Sequence, residues 1–281
     1  MKFAIMICTH GRPYKQLTLQ TLRNSGYTGK IYLIVDNEDD TVPELADVAE
    51  TYNAEIKMFD KEYYFQTVDK GTNDNHRACI LYAKGFCEDF AKYLGLDAFI
   101  IADDDMTGFR HRYCEGDVLR SMKIRNTLDE VLESYVDFML KLNLSTIGFG
   151  FVSCFYQGVN ALNYEQMLKY RIPYNFIFRN CNHIVDWKSW FGEDVVTATY
   201  YNMIGQLWLT VPLVQQDILP ISTAVGGMRE IYADNSSVKL TMQNLKYLPS
   251  ELSAYCHRGT FKATIQHDRA YPMLISGRYK K

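Results

Sequence analysis

The chain has 281 residues, 47% of them hydrophobic and 14% aromatic, which is enough core material for one elaborated domain and excludes extended disorder. Lys and Arg total 30 against 33 Asp and Glu, so with a net charge of -3 the chain as a whole lacks the basic footprint of a protein living on a polyanion. Seven scattered cysteines without a C-x-x-C pair suggest neither a disulfide framework nor a zinc site, and no apolar run approaches the roughly 18 residues that cross a bilayer, so a cytoplasmic protein with no membrane partner is expected.

Phe3 to Cys8 is a short apolar run that stops at Thr9-His10-Gly11-Arg12-Pro13, which predicts a strand, a loop and a helix running from Pro13 to about Asn24. Ile31 to Val35 repeats the pattern, ends in Asp36-Asn37-Glu38-Asp39-Asp40, and hands over to a helix opened by Pro43. Ala54 to Phe59 predicts a third strand, and apolar residues at helical spacing predict a helix from Asn75 to Leu94. Ala98 to Ala102 is a buried-strand run that breaks into Asp103-Asp104-Asp105. Strands alternating with helices imply a mostly parallel sheet covered on both faces, with Thr9-His10, Asp36-Asn37 and Asp103-Asp105 converging at its carboxyl edge. Residues 106–127, rich in Arg and Lys, read as a surface loop. Thr146 to Ser153, Tyr174 to Phe178 and Phe261 to Ile265 are expected to complete the sheet. Residues 1–127 would form a donor-binding half and 128–281 an acceptor-binding half of a single domain.

Three adjacent aspartates at a strand end repel one another unless a cation neutralises them, so Asp105, with Asp103 if the strand continues and both point one way, is a candidate holder of Mn2+ or Mg2+; an acidic turn is the plain alternative. Thr9 to Pro13 lies at a strand-to-helix turn where amides favour negative charge or a nucleobase edge, and it contains no G-x-G-x-x-G or G-K-S/T. Asp36 is placed to accept from a ribose or base. Arg77, at the start of the helix that feeds the acidic strand, is either a diphosphate contact or the partner of Asp74 or another nearby acid, and His76 reads as a loop or capping residue. Glu193 and Asp194 precede a helix-like stretch from Val195 to Gly205, where the dipole keeps a carboxylate ionised, either for capping or for use as a base. His267 is a candidate third metal ligand, Trp187 and Trp190 are a sugar platform or core, and Gly226-Gly227-Met228 is a close-approach turn. Arg258, Arg269, Arg278, Lys280 and Lys281 make a modest basic cluster for a nucleic-acid acceptor.

In this order and spacing, Ile7 to Pro13, Asp36, Arg77, Asp103-Asp104-Asp105 and Gly192-Glu193-Asp194 resemble the GT-A nucleotide-sugar glycosyltransferases over nearly the whole chain. The resemblance implies a donor held by Thr9, His10, Arg12, Asp36, Asn37, Arg77, Asp103, Asp104 and Gly227. It also implies a metal on Asp103, Asp105 and His267, with Asp194 as base beside Glu193 and UDP as the default nucleotide. Gly226-Gly227-Met228 with Tyr232, and Phe191-Gly192-Glu193-Asp194, are similar to the phage-type and TET-associated enzymes that glycosylate hydroxymethylated pyrimidines, which implies double-stranded DNA carrying 5-hydroxymethylcytosine as acceptor. A glycan or protein acceptor, a sugar nucleotidyltransferase and a non-catalytic carbohydrate- or DNA-binding module are the competing readings.

Overall fold

A computed structural model describes residues 1–73, 76–77, 79–163, 168–169, 171–219, 236–257, 260–266 and 270. The apolar runs become strands β1 (Phe3–Cys8), β2 (Ile31–Asp36), β3 (Glu55–Phe59) and β4 (Ala98–Asp103). They are followed by β5 (Met106–Glu115), β6 (Val118–Lys123), β7 (Thr146–Gly150), β8 (Phe176–Asn180) and β9 (Trp208–Ile218). These nine form one sheet in the order β3-β2-β1-β4-β8-β7-β9-β5-β6. The pairings leave only β5 and β8 running against the other seven, so the sheet is mixed but largely parallel in direction.

Among the described residues, seven α-helices accompany it: α1 (Leu17–Asn24), α2 (Val42–Thr51), α3 (Lys61–Thr67), α4 (Leu81–Tyr93), α5 (Leu128–Lys141), α6 (Glu193–Met203) and α7 (Ser236–Tyr247). Leu19, Leu45 and Leu132 of α1, α2 and α5 pack on Ile5, Leu33 and Ile100 on one face of the sheet. Tyr82 and Cys87 of α4 and Tyr201 of α6 pack on Met6, Ile34 and Ile101 on the other. Each such large side chain taken fully out of water contributes roughly 1.5–3 kcal/mol, which is why central strands with both faces apolar sit between helices. Successive side chains of a strand alternate faces, so β4 sends Phe99 and Ile101 toward α4, and Asp103 follows them.

Several boundaries differ from expectation. The first helix starts at Leu17 rather than Pro13, and the fourth at Leu81, so Arg77 precedes it. Residues 106–127 are not a loop: β5 and β6 pair antiparallel from Arg110↔Lys123 to Glu115↔Val118, a ribbon with polar residues on both faces that gives little period-2 signal. The run near the C-terminus does not complete the sheet. Among the described strands it forms β11 (Thr260–Ile265), which pairs with β10 (Leu252–His257) in a separate two-stranded sheet. Among the described residues, no helix is long and apolar enough to cross a membrane.

Candidate active site

At the end of β1 the chain turns through Gly11, whose φ of +65° is the left-handed region that glycine adopts without penalty, and its amide donates to Asp39 Oδ2 at 3.0 Å. The turn delivers Thr9 and Arg12 to one carboxylate. Thr9 Oγ1 donates to Asp104 Oδ2 at 2.7 Å and the Arg12 guanidinium donates to Asp104 Oδ1 at 2.8 Å. Gln16, fully buried, donates to both Thr9 Oγ1 and the Arg12 carbonyl, fixing the turn from behind. Burial pushes the Asp104 carboxyl above the usual carboxylate range, while Arg12 and Thr9 pull against it.

The end of β2 lies beside this turn. Asp36 shares a hydrogen bond of 2.9 Å with His10 Nδ1 and an ion pair of 3.2 Å with Lys61 Nζ. Burial opposes the charge on Asp36, but His10 and Lys61 prevail and hold its carboxyl below the usual range; the same hydrogen bond raises the His10 imidazole. Asn37 Oδ1 accepts from the Lys61 amide at 3.0 Å, tying the start of α3 to the strand end. Arg77 is held by Glu38 and Glu62 and lies 5.1 Å over the Phe65 ring, so in this structure it faces one carboxylate of the β2 edge and one of α3.

The end of β4 is the most charged part of the edge. The strand stops at Asp103, and Asp104 and Asp105 occupy a turn, so the alternation expected to aim 103 and 105 alike does not extend that far. Asp103 Oδ2 accepts from Asn175 Nδ2 at 2.6 Å and its amide donates to the Asn175 carbonyl. Burial pushes the Asp103 carboxyl up to about 8, with Lys84 opposing and Asp105 and Asp194 adding to the rise. Opposite, Gly192 caps α6 with φ +71°, and Glu193 and Asp194 form the first turn of the helix rather than preceding it. Both carboxylates converge on Lys84 of α4, Glu193 at 2.8 Å and Asp194 in closer contact. The Lys84 side chain is 2% exposed, and its ammonium lies 4.7 Å over the Trp187 ring. Burial raises Asp194 to about 6 and Glu193 adds to the rise, while Lys84 pulls against them.

Asp105 and Asp194 thus both raise Asp103, and the buried Lys84 ammonium opposes the rise on Asp103 and Asp194. Asp105 Oδ1 is buried without a hydrogen-bond partner among the described residues, and its carboxyl is pushed up by burial and by Asp104. Such an orphaned hard-oxygen donor beside a second carboxylate suits a divalent cation of the Mg2+ or Mn2+ type. Among the described residues no three Asp, Glu, His or Cys side chains converge as a closed metal cluster, so a cation here would need ligands from a bound substrate or from elsewhere in the chain. His267, Gly226, Gly227, Met228, Tyr232, Arg258, Arg269, Arg278, Lys280 and Lys281 lie outside the described residues.

The structure therefore brings Thr9, Arg12 and Asp104 into one cluster, His10, Asp36 and Asn37 into a second, and Asp103, Glu193 and Asp194 into a third. Trp187 and Trp190 are buried, and Trp190 stacks on His76 at 3.7 Å. Sequence reasoning missed Lys84, Lys61, Gln16 and Asn175. Only Lys84 left a signal: in Leu81-Tyr82-Ala83-Lys84-Gly85-Phe86-Cys87 it shares the helical face of Leu81 and Cys87, both fully buried.

The family profile described as TET-Associated Glycosyltransferase matches residues 3–225. No curated protein matches the sequence. Among solved structures, glucosyl-3-phosphoglycerate synthase from Mycobacterium tuberculosis in complex with Mn2+ and UDP-glucose aligns with 94% of this chain and 86% of its own, at a TM-score of 0.50 and 7% identity. GalNAc-T7 with UDP, GalNAc and Mn2+ aligns with 78% of this chain and 44% of its own, at a TM-score of 0.49 and 13% identity. At such identities the first likeness speaks for the fold alone.

Proposed function

This chain belongs to the TET-associated glycosyltransferase family, and from that membership we propose that it moves a sugar from a UDP-sugar to the hydroxyl of 5-hydroxymethylcytosine in phage DNA. The observation that carries the reading is the meeting of Asp103 and Asp194, from segments 91 positions apart, around one buried lysine at the carboxyl edge of the sheet. That edge is where open α/β sheets bind ligands.

In this reading Thr9, His10, Arg12, Asp36, Asn37, Arg77, Asp103, Asp104 and Gly227 serve the donor, and residues 128–281 build most of the acceptor side. Asp103 and Asp105, with His267, would hold Mn2+ or Mg2+ against the diphosphate. A bound cation there supplies charge neutralisation for the departing diphosphate. Asp194 is ionised near neutral pH and takes the acceptor hydroxyl proton as that oxygen bonds to the anomeric carbon. The bond from the anomeric carbon to the diphosphate oxygen breaks in the same step, nucleoside diphosphate leaves, and a single displacement inverts the anomeric centre. Glu193 shares Lys84 with Asp194 and keeps the base in place. Donor and DNA meet in the cytoplasm, which is where the chain would work.

The test is diphosphate release and sugar transfer from a panel of UDP- and GDP-sugars with Mn2+ or Mg2+, with and without hydroxymethylcytosine DNA. Metal-dependent release that rises sharply with that DNA supports the reading. Release indifferent to DNA redirects the search to glycan or protein acceptors, and no release from any donor removes the catalytic reading.

A further inference from the structure

Residues 106–127 hold five Arg and Lys (110, 112, 120, 123 and 125) against two acids, Glu115 and Asp117, a surplus of three positive charges in a chain of net charge -3. Four of these cations and both acids sit on the β5–β6 ribbon at the end of the sheet, where β6 pairs among the described strands with β5 alone, and Arg125 follows β6. The root of β5 is buried through Met106 and Phe109, but from Tyr113 to Lys123 every residue except Leu119 is exposed. The pairs His111↔Met122, Tyr113↔Arg120 and Glu115↔Val118 put those six side chains on one face of the ribbon. The opposite face carries Arg112, which lies 4.5 Å over the Phe155 ring of the short helix Val152–Phe155 and donates to Gln215.

The first face is open to solvent, with Tyr113 44%, Val118 47% and Met122 57% exposed. A two-stranded ribbon with an uncovered apolar face and a charge surplus gains little from its own burial, so its composition fits a partner better than a core. Arg120 pairs with Glu115 at 2.9 Å, but both side chains are more than half exposed and solvent screens the pair, so a phosphate can displace the glutamate. Lys123 and Arg125 have no ion pair among the described residues.

Two further facts select the partner. The major groove of B-form DNA, about 12 Å wide, admits a two-stranded ribbon, and substituents at C5 of a pyrimidine project into that groove. The ribbon also begins one residue after Asp105, whose carbonyl accepts from the Leu219 amide at 3.2 Å where β9 ends, so its root is continuous with the carboxylate edge. We propose that the β5–β6 ribbon docks in the major groove of the acceptor duplex, with Tyr113 and Met122 toward the base edges and Arg120, Lys123 and Arg125 toward the phosphates. This rests on the reading of DNA as acceptor. It also assigns an acceptor-facing element to the first 127 residues, which the division of the chain at that point does not foresee.

The experiment measures binding of a hydroxymethylcytosine duplex by fluorescence anisotropy across salt concentrations, together with transfer to that duplex and to free 5-hydroxymethyl-2′-deoxycytidine. The proteins are the full chain, Arg120→Gln with Lys123→Gln, and Tyr113→Ala with Met122→Ala, with melting temperature as the check on folding. For the charge variant the plot of log affinity against log salt should flatten by about two, because two phosphate contacts are removed, and the ratio of duplex to nucleoside kcat/KM should fall at least about tenfold. The apolar variant should lower that ratio without changing the salt slope. Unchanged duplex affinity and salt slope in the charge variant, while the parent chain still modifies duplex DNA, overturns the ribbon and leaves the acceptor reading standing. Equal affinity of the parent chain for single strands overturns groove docking. A parent chain that cleaves the donor but modifies neither duplex nor nucleoside removes the acceptor reading, and the ribbon proposal with it.

Discussion

Lys84 and Asp194 are 110 positions apart in the chain and meet as an ion pair in which the lysine side chain is 2% exposed and the aspartate 18%. The lysine reaches from α4 to the first turn of α6 and satisfies Glu193 as well, so one ammonium balances two carboxylates at a helix N-terminus. Removing one member of a buried pair typically costs about 3–5 kcal/mol because the charge left behind has no counterion. For Lys84→Met we expect a loss of stability in that range, read by urea denaturation, and a fall in transfer rate of about a hundredfold with donor KM little changed. Stability equal to the parent chain would mean that water reaches the two carboxylates and that the pair holds nothing in place.

The same pair predicts a pH profile. Asp194 lies at about 6, raised by burial and by Glu193 against the pull of Lys84, and only its ionised form can accept a proton. Transfer should therefore decline as pH falls through about 6, with a slope of one proton. Lys84→Met removes the group that favours the ionised form, so the acid limb should move to higher pH. An acid limb left in place by Asp194→Asn, in a variant that still transfers sugar, would assign the titration to another group.

These relationships show where the sequence was legible and where it was not. The strand runs ending at Cys8, Asp36 and Asp103 were readable because strands buried on both faces are apolar throughout, and parallel strands bring their ends to one edge. β9 was not readable. Pro212 lies inside it, a residue that interrupts strand patterns, and the structure accommodates it in a bulge where the β7 partner register jumps from Phe149↔Val211 to Gly150↔Gln215. The acids Asp103 and Asp194 announced themselves by position, whereas Lys84 looks in sequence like a polar interruption of an apolar helix face. Its role depends on which carboxylates the tertiary fold sets against it, and local pattern carries no such information.

Asp103 supplies a test with a definite sign. Its carboxyl is raised to about 8 by burial and by neighbouring acids, so the folded chain binds that proton more tightly than the unfolded chain. The stability this contributes is fully present below the ordinary carboxylate range and is lost as pH rises through about 8. Relative to Asp103→Asn, the metal-free parent chain should become less stable as pH is raised toward about 9, and the two should converge in acid. Melting temperatures across pH measure the difference. Mn2+ should raise the parent's melting temperature more at about pH 8 than at about pH 6, since a cation competes with the proton for the same oxygens; a metal effect independent of pH would place the cation elsewhere.

Gly192 tests the placement of the proposed base by a backbone route. Its φ is +71°, and a Cβ there would lie 2.3 Å from Leu240 Cδ1. Leu240 can rotate away, but the left-handed backbone cannot be relieved without moving the first turn of α6. Gly192→Ala should cost about 1–2 kcal/mol from the backbone alone, visible as a drop of several degrees in melting temperature. Because Asp194 lies in that turn, the rate of transfer should fall further than donor binding. A variant that melts early yet transfers at the parent rate would separate the helix start from catalysis.

Arg77 carries a contest between two sets of anions. Glu38 and Glu62 hold it now, but both are well exposed, at 42% and 55%, so solvent screening keeps both pairs weak. A diphosphate offers a higher charge density and bidentate geometry, so exchange of partners on donor binding is energetically accessible. Arg77→Met should leave stability within about 1 kcal/mol of the parent and raise donor KM about tenfold. Glu38→Gln should act in the opposite direction, lowering donor KM, because it weakens the competitor and leaves the guanidinium in place. Isothermal titration of UDP in the presence of Mn2+ reads both effects without an acceptor. If Arg77→Met binds UDP as the parent does, the guanidinium is a tie between the β2 edge and α3, and the donor's diphosphate must find its positive charge at Arg12 or at the cation.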